Sequence, residues 1–477
     1  MINAAWVEGD YFVFALTNKA MNLFFKRIVY FIAVLLLQPG LQAQLQRSDG
    51  YKGIWFALGQ ASAYGDKYSG GLGTYTSSHI PVAIYAAKVQ KTFFAYGGTT
   101  AANEKHLLIM LSYYDHKTKQ VPRPVVVYDK LGVDDPHDNA SLSIDDNGNI
   151  WVFVSGRNTS RPGLIFKSNQ PFAIDGFEQI KTGDMTYPQP WWSRKGFVYL
   201  FTRYTNGREL YWSSSSDGRT WQPDQKLAGM GGHYQVSNQW NNKIVSVFNY
   251  HPGGNVDKRT NLYLVQTTDM GKTWTNVSGK LLSPPLTDKN SEALVKAYEQ
   301  EGKLVYINDL NFDKAGNPVV LIVVSKHFQP GPQGDPREWI IAHWKNGQWH
   351  FSKVCTSTHN YDMGSLYIEN DGWQIIGPTE PGPQLYGTGG EMALWESHNE
   401  GLTWTKKKLL TQNSERNHSY ARRPLHAHPD FYAFWADGDA DRLSASHLYF
   451  CTKKGAVYAL PYQMNADTAT PILIKSK

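Results

Sequence analysis

The sequence predicts an all-β fold in which small antiparallel sheets are arrayed as blades around an axis, and three observations carry that reading. The first is a recurring box. TTDMGKTW at 267–274 and SHNEGLTW at 397–404 share one spacing, and SSSDGRTW at 214–221 is a weaker copy. The second is a series of strand-like patterns rich in β-branched and aromatic residues, such as GFVYLFTRYT, NKIVSVFNY and PVVLIVVSK, broken by turn formers such as DDNGN and WKNGQW. The third is the lack of any long helical periodicity.

Each box has a physical reason. The Asp or Asn accepts backbone N–H bonds in a tight turn, the glycine takes a positive φ, and the tryptophan packs between neighbouring sheets. These turns resemble the Asp boxes of sialidase-like β-propellers, a motif that specifies architecture and no chemistry. Blades of about fifty to sixty residues divide the length after the leader into about seven, so a seven-bladed β-propeller with BNR-type turns is expected. No Pro/Ser-rich linker divides the chain, and residues 44–477 are read as one monomeric catalytic domain.

At the N-terminus, Lys26 and Arg27 precede an apolar run from Ile28 to Leu37, a Pro-Gly break and the small Ala43. This is the layout of a secretion signal over 21–43, and the run is too short to span a bilayer comfortably. Residues 1–20 make an odd leader to such a signal, so translation is expected to start at Met21. A secreted or periplasmic protein follows. Its two cysteines, Cys355 and Cys451, leave disulfides no framework role, with one bridge or two separate thiols both open.

The net charge of +6 has no basic block behind it, which argues against nucleic acid and suits an acidic sugar. A sialidase would need an early Arg-Ile-Pro motif, and the chain after the leader has none. YYDH at 113–116, then DDPHDNASLSIDDNGNIWVFVSGR, then MTYPQPWWSRKGFVYLFTRYTNGRELYW resemble the BNR-type propeller polysaccharide lyases, which include ulvan lyases. The opening YKGIWFALGQASAYGDKYSGGLGTYTSSHIPVAIY is similar to the branch of L-rhamnose-α-1,4-D-glucuronate lyases and the neighbouring α-L-rhamnosidases.

That resemblance implies a catalytic set of two histidines, a tyrosine and an arginine. His116 and His137 stand 21 positions apart, and Tyr187 and Arg203 stand 16 apart, matching the family in order and spacing. Carried over, His137 and Tyr187 transfer protons, His116 is a second imidazole, and Arg203 clamps the carboxylate. The chemistry agrees: a planar guanidinium holds the charge that grows on a uronate when its C5 proton leaves. Histidine serves as base near neutral pH and tyrosine as acid. Each also has a structural explanation. His137 follows the Asp135-Pro136 turn, Tyr187 is forced extended by Pro188, and Arg203 can pair with Glu209 across a hairpin.

Tyr250, His251 and Arg259 in FNYHPGGNVDKRTNLY are candidate sugar-binding residues, as is Gln60. Gln60 and His79 fall where the related rhamnosidases carry recognition and a proposed catalytic histidine. Arg422, Arg423, His426 and His428 are assigned to ring closure. Catalysis needs no cofactor, and a structural Ca2+ is an expectation from the resemblance, with DDNGN and the loop at Asp467 as oxygen-rich turns. The expected activity is exo-acting β-elimination at a terminal L-rhamnose-α-1,4-D-glucuronate of a plant arabinogalactan or gum. Hydrolysis of the same bond and non-catalytic glycan binding are the alternatives. Hydrolysis would call on a carboxylate pair from Asp115, Asp135 and Asp138.

Overall fold

Alternating strands need partners on both edges, and the chain supplies them as a ring of antiparallel sheets. The computed structural model describes residues 45–72, 78–101, 104–133, 135–205 and 207–474. The chain divides into Met1–Gln44 and Leu45–Lys477. The expected extension at 1–20 and secretion signal at 21–43 lie outside the described residues. Within those residues no helix is long and apolar enough to cross a membrane.

Among the described residues, six sheets of four to six strands are each drawn from one run of chain. Their first strands are Ala140–Ile144, Thr186–Ser193, Gln235–Trp240, Leu304–Phe312, Ser365–Glu369 and Asn417–Arg422. A further sheet is composite. It orders Ser444–Ser446, Gly53–Ala57, Lys91–Gly98, Leu108–Asp115 and Val125–Asp129 side by side, with Ala83–Ala86 also paired to Lys91–Gly98. The expectation of a seven-bladed propeller is therefore corrected: among the described residues there are six blades, and the remaining long strands form a composite closing sheet. The reason is edge pairing: Gly53–Ala57 pairs with Lys91–Gly98 through Gly53 alone and takes its longer partner, Ser444–Ser446, from the far end of the chain.

The boxes are turns, as the sequence requires. Asp269 accepts from the Thr273 N–H (2.9 Å), Asn399 from Thr403 (2.9 Å) and Asp217 from Thr220 (2.7 Å). Gly218 and Gly271 have φ of 73° and 82°, and a Cβ on either would lie 2.3–2.4 Å from the ring of Trp151 or Trp212. Trp274 is buried and meets Trp212 of the preceding sheet edge-on at 5.3 Å. Apolar side chains fill the space between adjacent sheets, as with Phe93, Leu142 and Val152. Cys355 and Cys451 are both free and buried, which settles the open choice against a bridge.

Candidate active site

The innermost strand of each sheet starts at one end of the ring, and the residues at those starts converge. His79 precedes the strand Ala83–Ala86, His137 precedes Ala140–Ile144, and Tyr187 is the second residue of Thr186–Ser193. On the next three sheets, Tyr234 immediately precedes Gln235–Trp240, Tyr306 is the third residue of Leu304–Phe312, and Tyr361 lies shortly before Ser365–Glu369. Ring centroids connect them: Tyr187 lies 5.1 Å from His79, 5.3 Å from His137 and 6.0 Å from Tyr234. Tyr306 and Tyr361 meet at 5.1 Å, and Tyr68 reaches Tyr361 at 4.7 Å.

Tyr187 is not extended, as its place before Pro188 predicts, but has φ of 53°. The strand slips register there against Gly196–Tyr204, and the Ser155 hydroxyl accepts the Tyr187 N–H (2.9 Å). A bulky residue in the left-handed region costs about 1–3 kcal/mol, and such strain persists where the surroundings impose it. The bulge sets the Tyr187 ring against the two imidazoles.

His137 is oriented from behind. Its Nδ1 contacts Asp135, whose carboxylate also accepts from the His137 N–H (3.0 Å), Arg157 (3.2 Å) and Arg161 (2.5 Å). Burial acts to raise the Asp135 pKa, but the His137 bond and the nearby positive charge outweigh it and hold the carboxyl below its usual range. With Asp135 ionised, Nδ1 carries the proton and Nε2 presents its lone pair. Burial lowers the pKa of His137 against the pull of Asp135, with Arg157 and Arg208 adding to the lowering, so the imidazole stays neutral.

Arginines surround this group. The Arg157 guanidinium lies 4.9 Å from the Tyr204 ring, and Arg208 lies 5.2 Å from Tyr204 and 5.7 Å from Tyr234. The buried Nε of Arg208 has no hydrogen-bond partner among the described residues. Burial pushes the Tyr204 phenol up to about 12. Arg259 is buried between Tyr234 (4.8 Å) and Tyr306 (4.5 Å) and donates to the Tyr361 hydroxyl (2.8 Å). His251 is fully buried, edge-on to Tyr234 at 5.1 Å, and burial followed by the Arg259 charge pushes its pKa well down.

Two of the four catalytic candidates lie elsewhere. Asp115 pairs with Lys91, and the His116 N–H donates to the Gln90 carbonyl, so His116 sits at the Lys91 end of the strand Lys91–Gly98. His79, which donates to the His137 carbonyl (3.3 Å), belongs to the chain beside the Gly97 end. At 3.2–3.4 Å per residue these ends are about 20 Å apart. His79, not His116, is the second imidazole beside Tyr187. Arg203 points to the flank of its sheet, where it pairs with Asp224 and donates to the Asp184 carbonyl (3.0 Å). Arg208, paired in register with Tyr204, occupies the place expected of Arg203.

Of the binding candidates, His251 and Arg259 join the group. Tyr250 is half-buried on the side of its sheet that carries Leu294 and Met270. Gln60 is exposed beside the Ala61–Ser62 hairpin and accepts from Lys67 (3.2 Å), which in turn pairs with Asp257. The carboxylates that hydrolysis would call on are engaged. Asp138 binds Lys130 (3.2 Å) and Arg161 (2.6 Å), and Asp115 accepts the N–H groups of Lys117 and Thr118. The oxygen-rich turn at Asp145 binds Asn147, Asn149 and Trp151 with its carboxylate, and the Asp467 side chain is almost fully exposed.

The sequence profile of the BNR repeat-containing family matches residues 91–357, more than half of the chain. The chain belongs to the BNR repeat-containing family. This BNR-repeat protein is 23% identical over 376 residues to an ulvan lyase of Nonlabens ulvanivorans, covering 66% of this chain and 75% of the relative. It is 21% identical to an ulvan lyase of Pseudoalteromonas sp. (strain PLSV), covering 68% and 72%. A solved PL25 ulvan lyase bound to -[GlcA(1-4)Rha3S]- superposes with a TM-score of 0.66 at 16% identity, over 86% of this chain and 96% of that one, and has the same propeller fold.

Proposed function

We propose that this protein is a polysaccharide lyase that cleaves a uronate-containing glycan by β-elimination, and that its linkage is L-rhamnose-α-1,4-D-glucuronate. The observation that carries the reading is Tyr187, held in a left-handed bulge between His79 and His137 with Arg208 beside it. The ulvan lyase relatives support the reaction class, and the glucuronate–rhamnose ligand of the PL25 structure supports the sugar pair.

Arg208 binds the uronate carboxylate and holds the charge that develops as the C5 proton leaves. The Nε2 lone pair of His137 takes that proton, with Asp135 stabilising the imidazolium. The electron pair forms the C4–C5 double bond, the C4–O bond breaks, and the Tyr187 hydroxyl protonates the oxygen that departs with rhamnose. Side chains carry every proton transfer in this scheme. The protein works exo on an arabinogalactan or gum-type chain outside the cytoplasm, as its leader suggests.

The test is incubation with a rhamnosyl-glucuronate oligosaccharide, and separately with ulvan, while ultraviolet absorbance and free rhamnose are followed. Elimination yields an unsaturated uronate that absorbs. Rhamnose release without absorbance would establish a hydrolase instead, and activity on ulvan alone would move the substrate to the sulfated chain.

A further inference from the structure

At the opposite end of the ring, where the closing sheet meets the last, two histidines and an aspartate converge outside the catalytic group. His116 follows the strand Leu108–Asp115, and His428 and Asp430 lie on the connection between Asn417–Arg422 and Ala433–Gly438. One ligand atom from each lies within 4.8 Å of the others. The His116 and His428 rings are 3.9 Å apart, and Tyr85 and Tyr114 wall the place, each within 5.2 Å of His116. We propose that His116, His428 and Asp430 form a binding site for a divalent transition-metal ion of the zinc type, which ties the closing sheet to the last one.

Two observations favour a metal over a packed polar cluster. His116 is 7% exposed, and its buried Nδ1 has no hydrogen-bond partner among the described residues. Its Nε2 meets the Thr92 hydroxyl at 2.8 Å. With Nε2–H donating to Thr92, the Nδ1 lone pair is left for a metal, and a hydrogen bond on the far nitrogen is the usual way a ligating imidazole is oriented. The donor set, two imidazoles and a carboxylate, suits zinc and its neighbours and not calcium, and leaves a position for water. Zinc–ligand bonds of about 2.0–2.1 Å put tetrahedral ligands about 3.3 Å apart, so modest side-chain rotation brings the three into range.

Two local bonds compete with the ion. Lys119 pairs with Asp430, and its side chain is half-exposed, so release to water is easy. The Asp430 N–H donates to His428 Nδ1 (3.1 Å), a bond that ligation through that nitrogen would replace.

The test uses tag-free, chelator-treated full-length protein titrated with Zn2+ alone by calorimetry and with Co2+ alone by visible absorbance. The expected result is one equivalent bound, a saturable rise in unfolding temperature, and Co2+ bands of low coordination number. His428→Ala and Asp430→Asn should each weaken binding at least tenfold, while Lys119→Met, which removes the competing cation, should tighten it. Wild-type protein that binds no stoichiometric metal overturns the proposal. So does binding that the Asp430→Asn and Lys119→Met variants leave unchanged, because both positions are at the surface and neither change threatens the fold.

Discussion

Replacing Asp135 by Asn is the sharpest probe of the proton-transfer scheme. The carboxylate accepts from the His137 N–H, from Arg157 and from Arg161, and it meets His137 Nδ1. An amide of the same shape can turn its NH2 group toward Nδ1, which then must accept. The proton moves to Nε2, and the nitrogen assigned to the C5 proton loses its lone pair. Loss of a correctly formed general base is worth about 10²–10⁴-fold in kcat, and a wrong tautomer alone reaches the upper end of that range. The two arginine bonds weaken as well. At about 1.5 kcal/mol for each charge-assisted bond, the stability loss is about 3 kcal/mol. The assay is the initial rate of unsaturated uronate formation at saturating substrate, paired with denaturant unfolding. A folded Asp135→Asn protein with kcat within about threefold of wild type would refute the assignment of His137 as a base set by Asp135.

Arg208→Ala should lower kcat/KM by at least about 10²-fold, as expected for a group that holds transition-state charge, while Arg203→Ala changes kcat/KM little and lowers the unfolding temperature through its lost bonds to Asp224 and Asp184; steady-state kinetics on both variants checks the pair. Stability should fall as pH drops from about 6.5 to about 4. His233 is buried, its Nδ1–H donating to the Asn249 carbonyl and its Nε2 accepting the Met230 N–H, and burial lowers its pKa from 6.5 to about 4. Burial and the Arg337 charge take His359 from 6.5 to about 3. The unfolded chain therefore binds protons below pH 6.5 that the folded chain refuses, an effect worth about 3 kcal/mol at His233 and, once pH reaches about 3, about 5 kcal/mol at His359. Unfolding free energy measured against pH should show that slope, and it should flatten in His233→Gln. Gly218→Ala should cost about 1–3 kcal/mol because its methyl group meets the Trp151 ring at a positive φ, read as a lower denaturant midpoint at unchanged slope.

The propeller was legible because its signals are local. A box of eight residues holds all the atoms its turn needs, and alternation marks each strand. The closing sheet was not legible, because pairing of Gly53–Ala57 with Ser444–Ser446 depends on contacts almost four hundred residues apart. Of the candidate residues, the structure brings His137, Tyr187, His251 and Arg259 into one group, and each stands at or near a strand end on one face of the ring. His116 and Arg203 lie outside that group, which spacing alone does not reveal. An interval of 21 residues does not say that a strand's length separates His116 from His137, and an interval of 16 does not say which way a side chain points. Alternation along Gly196–Tyr204 turns Arg203 to the flank and Tyr204 toward Arg157, so the arginine beside the group is Arg208, opposite Tyr204. The left-handed turn at Tyr187 was also hidden, since a residue before proline reads as extended.

Three turn glycines, Gly218 and Gly271 of the boxes and Gly316 of a hairpin, give this part of the ring a direction. Gly218 rests on Trp151, Gly271 on Trp212 and Gly316 on Trp240, in each case a tryptophan of the sheet immediately before the glycine's own. Each of these sheets is thus finished by a hairpin made later in the chain. As the polypeptide emerges from the ribosome, each of the sheets that carry Trp151, Trp212 and Trp240 holds an indole awaiting its cover, and folding there advances like a row of tiles in which each overlaps the last. A chain halted after any of these sheets should leave one identifiable tryptophan in water, and the fluorescence of nested truncations would report the order in which the tiles are laid.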